Sequence, residues 1–151
     1  MRILVAIVAV LCFSVSFSIS FAQLKDGVHY FIDDQNNSYY MKITVEEDGF
    51  EITSVELLEL GKKAIRGAGI WRVVNRNAME DEEEYEGPEG WYEVELANGC
   101  FLDFELPVRE KLLGSEFEFT VHGCDEVTSE FTLPMTMTDK TSAEEFRTTL
   151  E

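Results

Sequence analysis

The chain has 151 residues, 45% of them hydrophobic and 12% aromatic, with a formal net charge of −18. That length supports one core rather than two, and that apolar content belongs to a folded chain rather than a disordered one. The charge argues against nucleic acid and against anionic membrane surfaces as partners, because both demand a basic face.

The chain opens with Met1-Arg2, a small positive region, followed by a nearly unbroken apolar run to Phe13. Ser20-Phe21-Ala22 then places small residues three and one before Gln23. This layout predicts a signal peptide over residues 1–22, removed on export. No later stretch is apolar enough for a spanning helix. The mature chain is expected to be a single domain over residues 23–151, in an extracellular or periplasmic location.

Period-two alternation follows almost everywhere. Tyr39, Met41, Ile43 and Val45 alternate with polar or amphipathic residues, as do Phe117, Phe119 and Val121, and then Leu133, Met135 and Met137. Such alternation predicts strands with one face in a core. Eight are expected, at about residues 27–33, 39–47, 50–58, 69–75, 91–97, 100–106, 116–122 and 130–137. Pro134 requires its strand to lie at an edge or to carry a bulge.

Two hairpins can be registered from their turns. Asp48-Gly49 suits a two-residue type I′ loop that sets Val45 against Ile52. Around Asn98-Gly99, a two-residue loop would set Val94 against Asp103 and mix the faces. A three-residue loop, Ala97-Asn98-Gly99, sets Val94 against Leu102 and Tyr92 against Phe104, with Gly99 left-handed. Asp33 to Ser38 is a polar turn carrying a glycosylation sequon at Asn36.

Two segments break the alternation. Residues 62–67 form a basic connection rich in glycine, expected to be a loop. Residues 80–90 form an acidic loop, expected to be solvent-exposed because consecutive carboxylates repel. At the C-terminus, Ser142 stands three residues before Glu145, a capping-box spacing that predicts a short helix over residues 142–150.

Cys12 lies within the leader, which leaves Cys100 and Cys124 as an even pair in an exported chain. A disulfide between them is expected, closing a loop of about 25 residues and contributing roughly 3 kcal/mol in the chain-entropy model. Gly123 gives the chain room to bend there.

No cofactor is called for. His29 and His122 stand at no metal-ligand spacing, and the acidic run lacks the glycine an EF-hand needs, so no metal site is expected. The chain has no nucleophile elbow, no H-E-x-x-H and no phosphate loop. A carboxylate pair assembled in space is still open to a chain of this kind.

The oddest feature is charge segregation. Lys62, Lys63 and Arg66 precede Glu80, Asp81, Glu82, Glu83 and Glu84, and Trp71 and Trp91 flank these segments. Together they make a candidate partner surface, the partner presenting a basic face. The competing explanations are a solvated acidic surface with weak local ion pairs, and aromatics buried in the core.

These patterns predict an all-β fold, an antiparallel β-sandwich of immunoglobulin-like or related topology with seven to eight strands. The alternative is a lipocalin-like up-and-down β-barrel. The expected function is that of an exported, non-catalytic binding or protein-interaction domain with an acidic surface. The alternatives are a small-ligand carrier with a barrel cavity, or a small secreted hydrolase or hydrolase inhibitor. Intact-mass measurement on secreted material checks the leader: the mature chain is expected to begin at Gln23, and a mass retaining residues 1–22 would contradict it.

Overall fold

The strands close on themselves. A computed structural model describes residues 23–73, 90–107, 111–124 and 130–151. Residues 1–22, read above as a leader, and the acidic run at residues 80–86 lie outside the described residues. The elements are β1 (Gly27–Ile32), β2 (Tyr39–Glu46), β3 (Glu51–Glu59), β4 (Ile65–Val73), β5 (Gly90–Leu96), β6 (Phe101–Phe104), β7 (Glu116–His122), β8 (Phe131–Thr138) and helix α1 (Lys140–Leu150). Each strand pairs antiparallel with the next, and β8 returns to β1. The expected sandwich is therefore corrected to a closed barrel of up-and-down connection, the lipocalin-like alternative. Alternation reads the same in either architecture. Whether the first strand meets the last depends on non-local pairing, here Tyr30↔Thr138, Phe31↔Met137 and Ile32↔Thr136.

Local chemistry sets the registers. In the β2–β3 hairpin Asp48 and Gly49 have φ of 55° and 88°, the Phe50 amide donates to the Glu47 carbonyl at 3.1 Å, and Val45 faces Ile52. Positive φ at both central residues is the type I′ requirement. The β5–β6 hairpin takes the three-residue loop. Val94 faces Leu102, Tyr92 faces Phe104, and Gly99 has φ of 87°. Cys100 and Cys124 are bridged, with Cα atoms 4.3 Å apart.

Most strand ends shift by a residue, and three boundaries within the described residues shift further. β4 begins at Ile65, inside the stretch read as a basic loop. Its inward positions include Gly67 and Gly69, and a Cβ on Gly69 would stand 2.1 Å from the Glu93 carbonyl oxygen. The glycines that suggested a loop instead let β5 lie close against β4. β6 stops at Phe104 rather than residue 106. The helix begins two residues early because its N-cap is Asp139, whose carboxylate accepts from the Ser142 backbone amide at 2.9 Å and from the Ser142 hydroxyl at 2.8 Å. Those bonds hold the Asp139 carboxyl below its ordinary pKa.

Inward side chains fill the barrel. Phe31 meets Phe117 and Phe119 with ring centroids at 5.0 and 5.2 Å, and Phe104 meets Phe119 at 4.7 Å. Aromatic rings from β1, β6 and β7 thus touch across the interior, in the edge-on and tilted arrangements their quadrupoles favour. Leu24 joins this core from the segment before β1.

On the outside, α1 lies over β1, β2 and β3. Its Ala143 and Leu150, with Phe146 beside them, cover Tyr30, Tyr40 and Leu58. Arg147 lies over the Tyr40 ring and 2.8 Å from Glu56 Oε1, an ion pair not aligned as a hydrogen bond. Burial, and then Glu144, push the Tyr40 hydroxyl's pKa well above its ordinary value.

The buried Tyr92 side chain ties three segments together. Its hydroxyl accepts from the Leu24 amide at 2.8 Å and donates to the Gly49 carbonyl at 2.7 Å. Burial pushes its pKa up to about 12, against the lowering effect of the Leu24 amide. Tyr92→Phe leaves both backbone groups without that partner, so a loss of roughly 1–3 kcal/mol is expected by chemical denaturation. A variant as stable as the parent would show that the hydroxyl fastens nothing.

Candidate functional site

Because the interior is filled, the place to look for a site is the barrel wall. β6 and β7 share only three rungs, Phe101↔His122, Leu102↔Val121 and Asp103↔Thr120. Continued by two residues, the same register would set Glu105 directly against Glu118, and by four, Pro107 against Glu116. Like charges directly opposite destabilise a strand pair, and proline cannot donate to a ladder. The wall opens at that point.

The opening is a solvent-accessible groove of about 480 Å³. Phe104 and Phe117, both nearly inaccessible, form its floor together with half-buried Trp91, Leu106 and Pro107. Asp103, Glu105, Glu116 and Glu118 stand around it. Glu105, Glu116 and Glu118 are exposed, the latter two at outward positions of β7. Gln35, in the β1–β2 turn, donates to Glu116 at 3.1 Å and so ties that turn to the rim.

Asp103 is the electrostatic centre of the rim. Its Oδ2 lies 2.7 Å from His122 Nε2, and the imidazole stacks on Phe101 with centroids 5.7 Å apart. Its Oδ1 is buried with no hydrogen-bond partner among the described residues. Burial raises the Asp103 pKa above 3.8, with smaller contributions from Glu93 and Glu130. The bond to His122 opposes this without cancelling it.

The described residues among those singled out in the sequence lie at several places on the barrel. Lys62 and Lys63 follow β3, ahead of β4, and Lys62 pairs with Glu59 at 2.9 Å. Arg66 reaches Glu56 at 3.4 Å on the outer wall. Trp71 is half-buried with its ring against Tyr92 at 4.8 Å, so it belongs to the packing of the core. Among the described members of that set, only Trp91 falls at the groove. Glu80, Asp81, Glu82, Glu83 and Glu84 lie outside the described residues. Among the described residues no cluster of three or more histidine, cysteine, aspartate or glutamate side chains is arranged to hold a metal ion. No described helix is long and apolar enough to cross a membrane.

Sequence reasoning missed the groove. The usable signal was Pro107 beside Glu105 near the end of a strand whose partner begins with Glu116 and Glu118. No protein-family model matches the chain, and comparison with curated proteins and with solved structures finds no match either.

The raised Asp103 pKa fixes a sign. The folded chain keeps this proton to a higher pH than the unfolded chain does, so the group's contribution to stability is greatest below pH 3.8 and declines as pH rises through the raised value. Carboxyl-carbon NMR should find Asp103 titrating above an ordinary aspartate. Asp103→Asn should flatten the decline in stability that sets in as pH rises past 3.8. An ordinary or depressed titration would reverse the assignment.

Proposed function

We propose that this chain is an exported, non-catalytic binding domain that takes a basic protein partner in the β6–β7 groove. The observation that carries the reading is the composition of that groove. An aromatic and apolar floor offers area to bury, and Asp103, Glu105, Glu116 and Glu118 around it select for cationic groups. The net charge of −18 extends the attraction beyond the contact itself. Export is supported by the leader pattern at residues 1–22 and by the Cys100–Cys124 bridge, which suits an oxidising compartment.

The two alternatives have less support. A carrier of an apolar small molecule needs an enclosed apolar cavity of several hundred Å³. Here aromatic side chains meet across the interior, and the groove is open and acidic. A hydrolase needs a nucleophile joined to its base. The Asp103–His122 pair is present, but no hydrogen bond joins the nearby Thr120 hydroxyl to it among the described residues.

Titration with an oligolysine peptide tests the reading. Binding is expected to weaken as salt rises, with a screening length of about 8 Å at physiological ionic strength. Glu105→Gln combined with Glu118→Gln should weaken it about tenfold. Glu46→Gln combined with Glu95→Gln, exposed carboxylates outside the groove, should leave it nearly unchanged. Equal losses from the two pairs, or no binding, would overturn the proposal.

A further inference from the structure

The groove is also a gap in a hydrogen-bond ladder, and the ladder's alternation states which backbone groups face it. In an antiparallel pair, successive residues turn their N–H and C=O groups to opposite sides. The Met137 amide donates to the Ser115 carbonyl at 3.0 Å, so the odd-numbered residues at the start of β7 face β8. Phe117 and Phe119 follow that rule, which leaves the backbone groups of Glu116 and Glu118 facing the groove.

Pro134 supplies an independent check, since it stands opposite Glu118 in β8. In this assignment residue 134 donates nothing to β7, the one condition under which proline fits there. Nor does β1 require its amide, because the β1–β8 pairing runs from Thr138 only as far as Thr136. Thr120, the next even residue, meets Asp103, and beyond it β7 has no partner strand on this side among the described residues.

We propose that the partner enters as an extended segment that pairs with the β7 edge at residues 116–119, its lysine or arginine side chains alternating with apolar ones. This rests on the binding-domain reading above and names the shape and pattern of what binds. Residues of the added strand opposite Glu118 and Glu116 share their outward face, so cationic side chains there sit cross-strand from carboxylates. The intervening residues point inward onto Phe104 and Phe117. The length available is four residues, about 13 Å.

The same carboxylates decide against another occupant. A second copy of this acidic chain would set glutamate against glutamate along the new pair, and edge charges commonly block such pairing. The strand belongs to β7 alone. The Leu96 amide donates to the Cys100 carbonyl, which turns even-numbered β6 residues toward β5 and Glu105 toward the groove. Glu105 and Glu118 thus offer backbone groups from residues of the same outward parity. One inserted strand bonds its two sides through residues of opposite parity, so it cannot satisfy both edges.

The test uses a capped hexapeptide of alternating lysine and valine with the mature protein. Binding should slow hydrogen exchange at the Glu118 amide at least about tenfold. N-methylation of the lysine amides, which face β7, should weaken binding at least about tenfold, whereas N-methylation of the valine amides should cost far less. A glutamate–valine peptide should not bind. If both methylated peptides bind like the parent and Glu118 gains no protection, strand addition is wrong, while binding still sensitive to Glu105→Gln and Glu118→Gln would leave the binding-domain reading standing. If the lysine–valine peptide fails to bind although oligolysine binds at the groove, strand addition is again wrong. If neither peptide binds, both fall.

Discussion

Everything in this molecule depends on the closure of the sheet between its first and last strands. Three rungs carry it: Tyr30↔Thr138, Phe31↔Met137 and Ile32↔Thr136. Without them β1 and β8 would each present an unpaired edge, and the inward rings would lose their enclosure. So short a seam needs reinforcement, and the chain supplies it immediately. β8 runs through the Asp139 cap into α1, which lays Ala143, Phe146 and Leu150 over Tyr30, Tyr40 and Leu58. Helix burial therefore clamps β8 to the strands it must meet. The Arg147–Glu56 pair sits at that contact with Tyr40 beneath it, which orients the helix more than it stabilises it, since desolvating both charges offsets much of their attraction.

Closure settles where a site can be. The cross-section is occupied by Phe31, Phe104, Phe117 and Phe119, with Tyr92 stacked on Phe104 at 4.9 Å. Tyr92 also draws in Leu24 and the Gly49 turn. Among the described residues, these rings meet across the middle of the barrel. The groove lies in the wall, where a continued β6–β7 register would set Glu105 against Glu118 and Pro107 against Glu116. The features that open the groove, Glu105, Glu118 and Pro107, are those that line it. Local frustration of the sheet and the chemistry of the site have the same cause.

Much of this was legible in the residues. The strands, both hairpin registers, the disulfide and the terminal helix follow from alternation, turn chemistry and cysteine parity, all of them local signals. The architecture was not, because Phe31 facing Met137 joins residues more than one hundred positions apart and leaves no periodic trace. The start of β4 was misread for a definite reason. Gly67 and Gly69 punctuate a loop in most sequences, yet here they serve close strand approach. Ser142 looked like the helix cap because its spacing to Glu145 was right. Asp139 won because its carboxylate reaches both the Ser142 amide and hydroxyl. The groove was hidden since it is an absence of pairing, visible only once the register of β6 against β7 is known.

The two short seams share a neighbour. β7 and β8 pair with each other over six residues, Glu116↔Thr136 through Val121↔Phe131. Toward β6 the hairpin holds by three rungs, and toward β1 by three more. Each seam is backed by a fastening that is not a ladder bond. Beside β1 it is the packing of α1. Beside β6 it is the Cys100–Cys124 bridge, placed where the surviving rungs lie and at the opposite end of β6 from the groove. A covalent tie at one end of a seam lets the other end stay open without the hairpin departing. The half of β7 that lacks a partner strand among the described residues is thereby backed by β8 behind it and by the bridge above it. Backing of that kind lowers the entropic cost of docking an extended segment, because only the incoming chain has to be ordered.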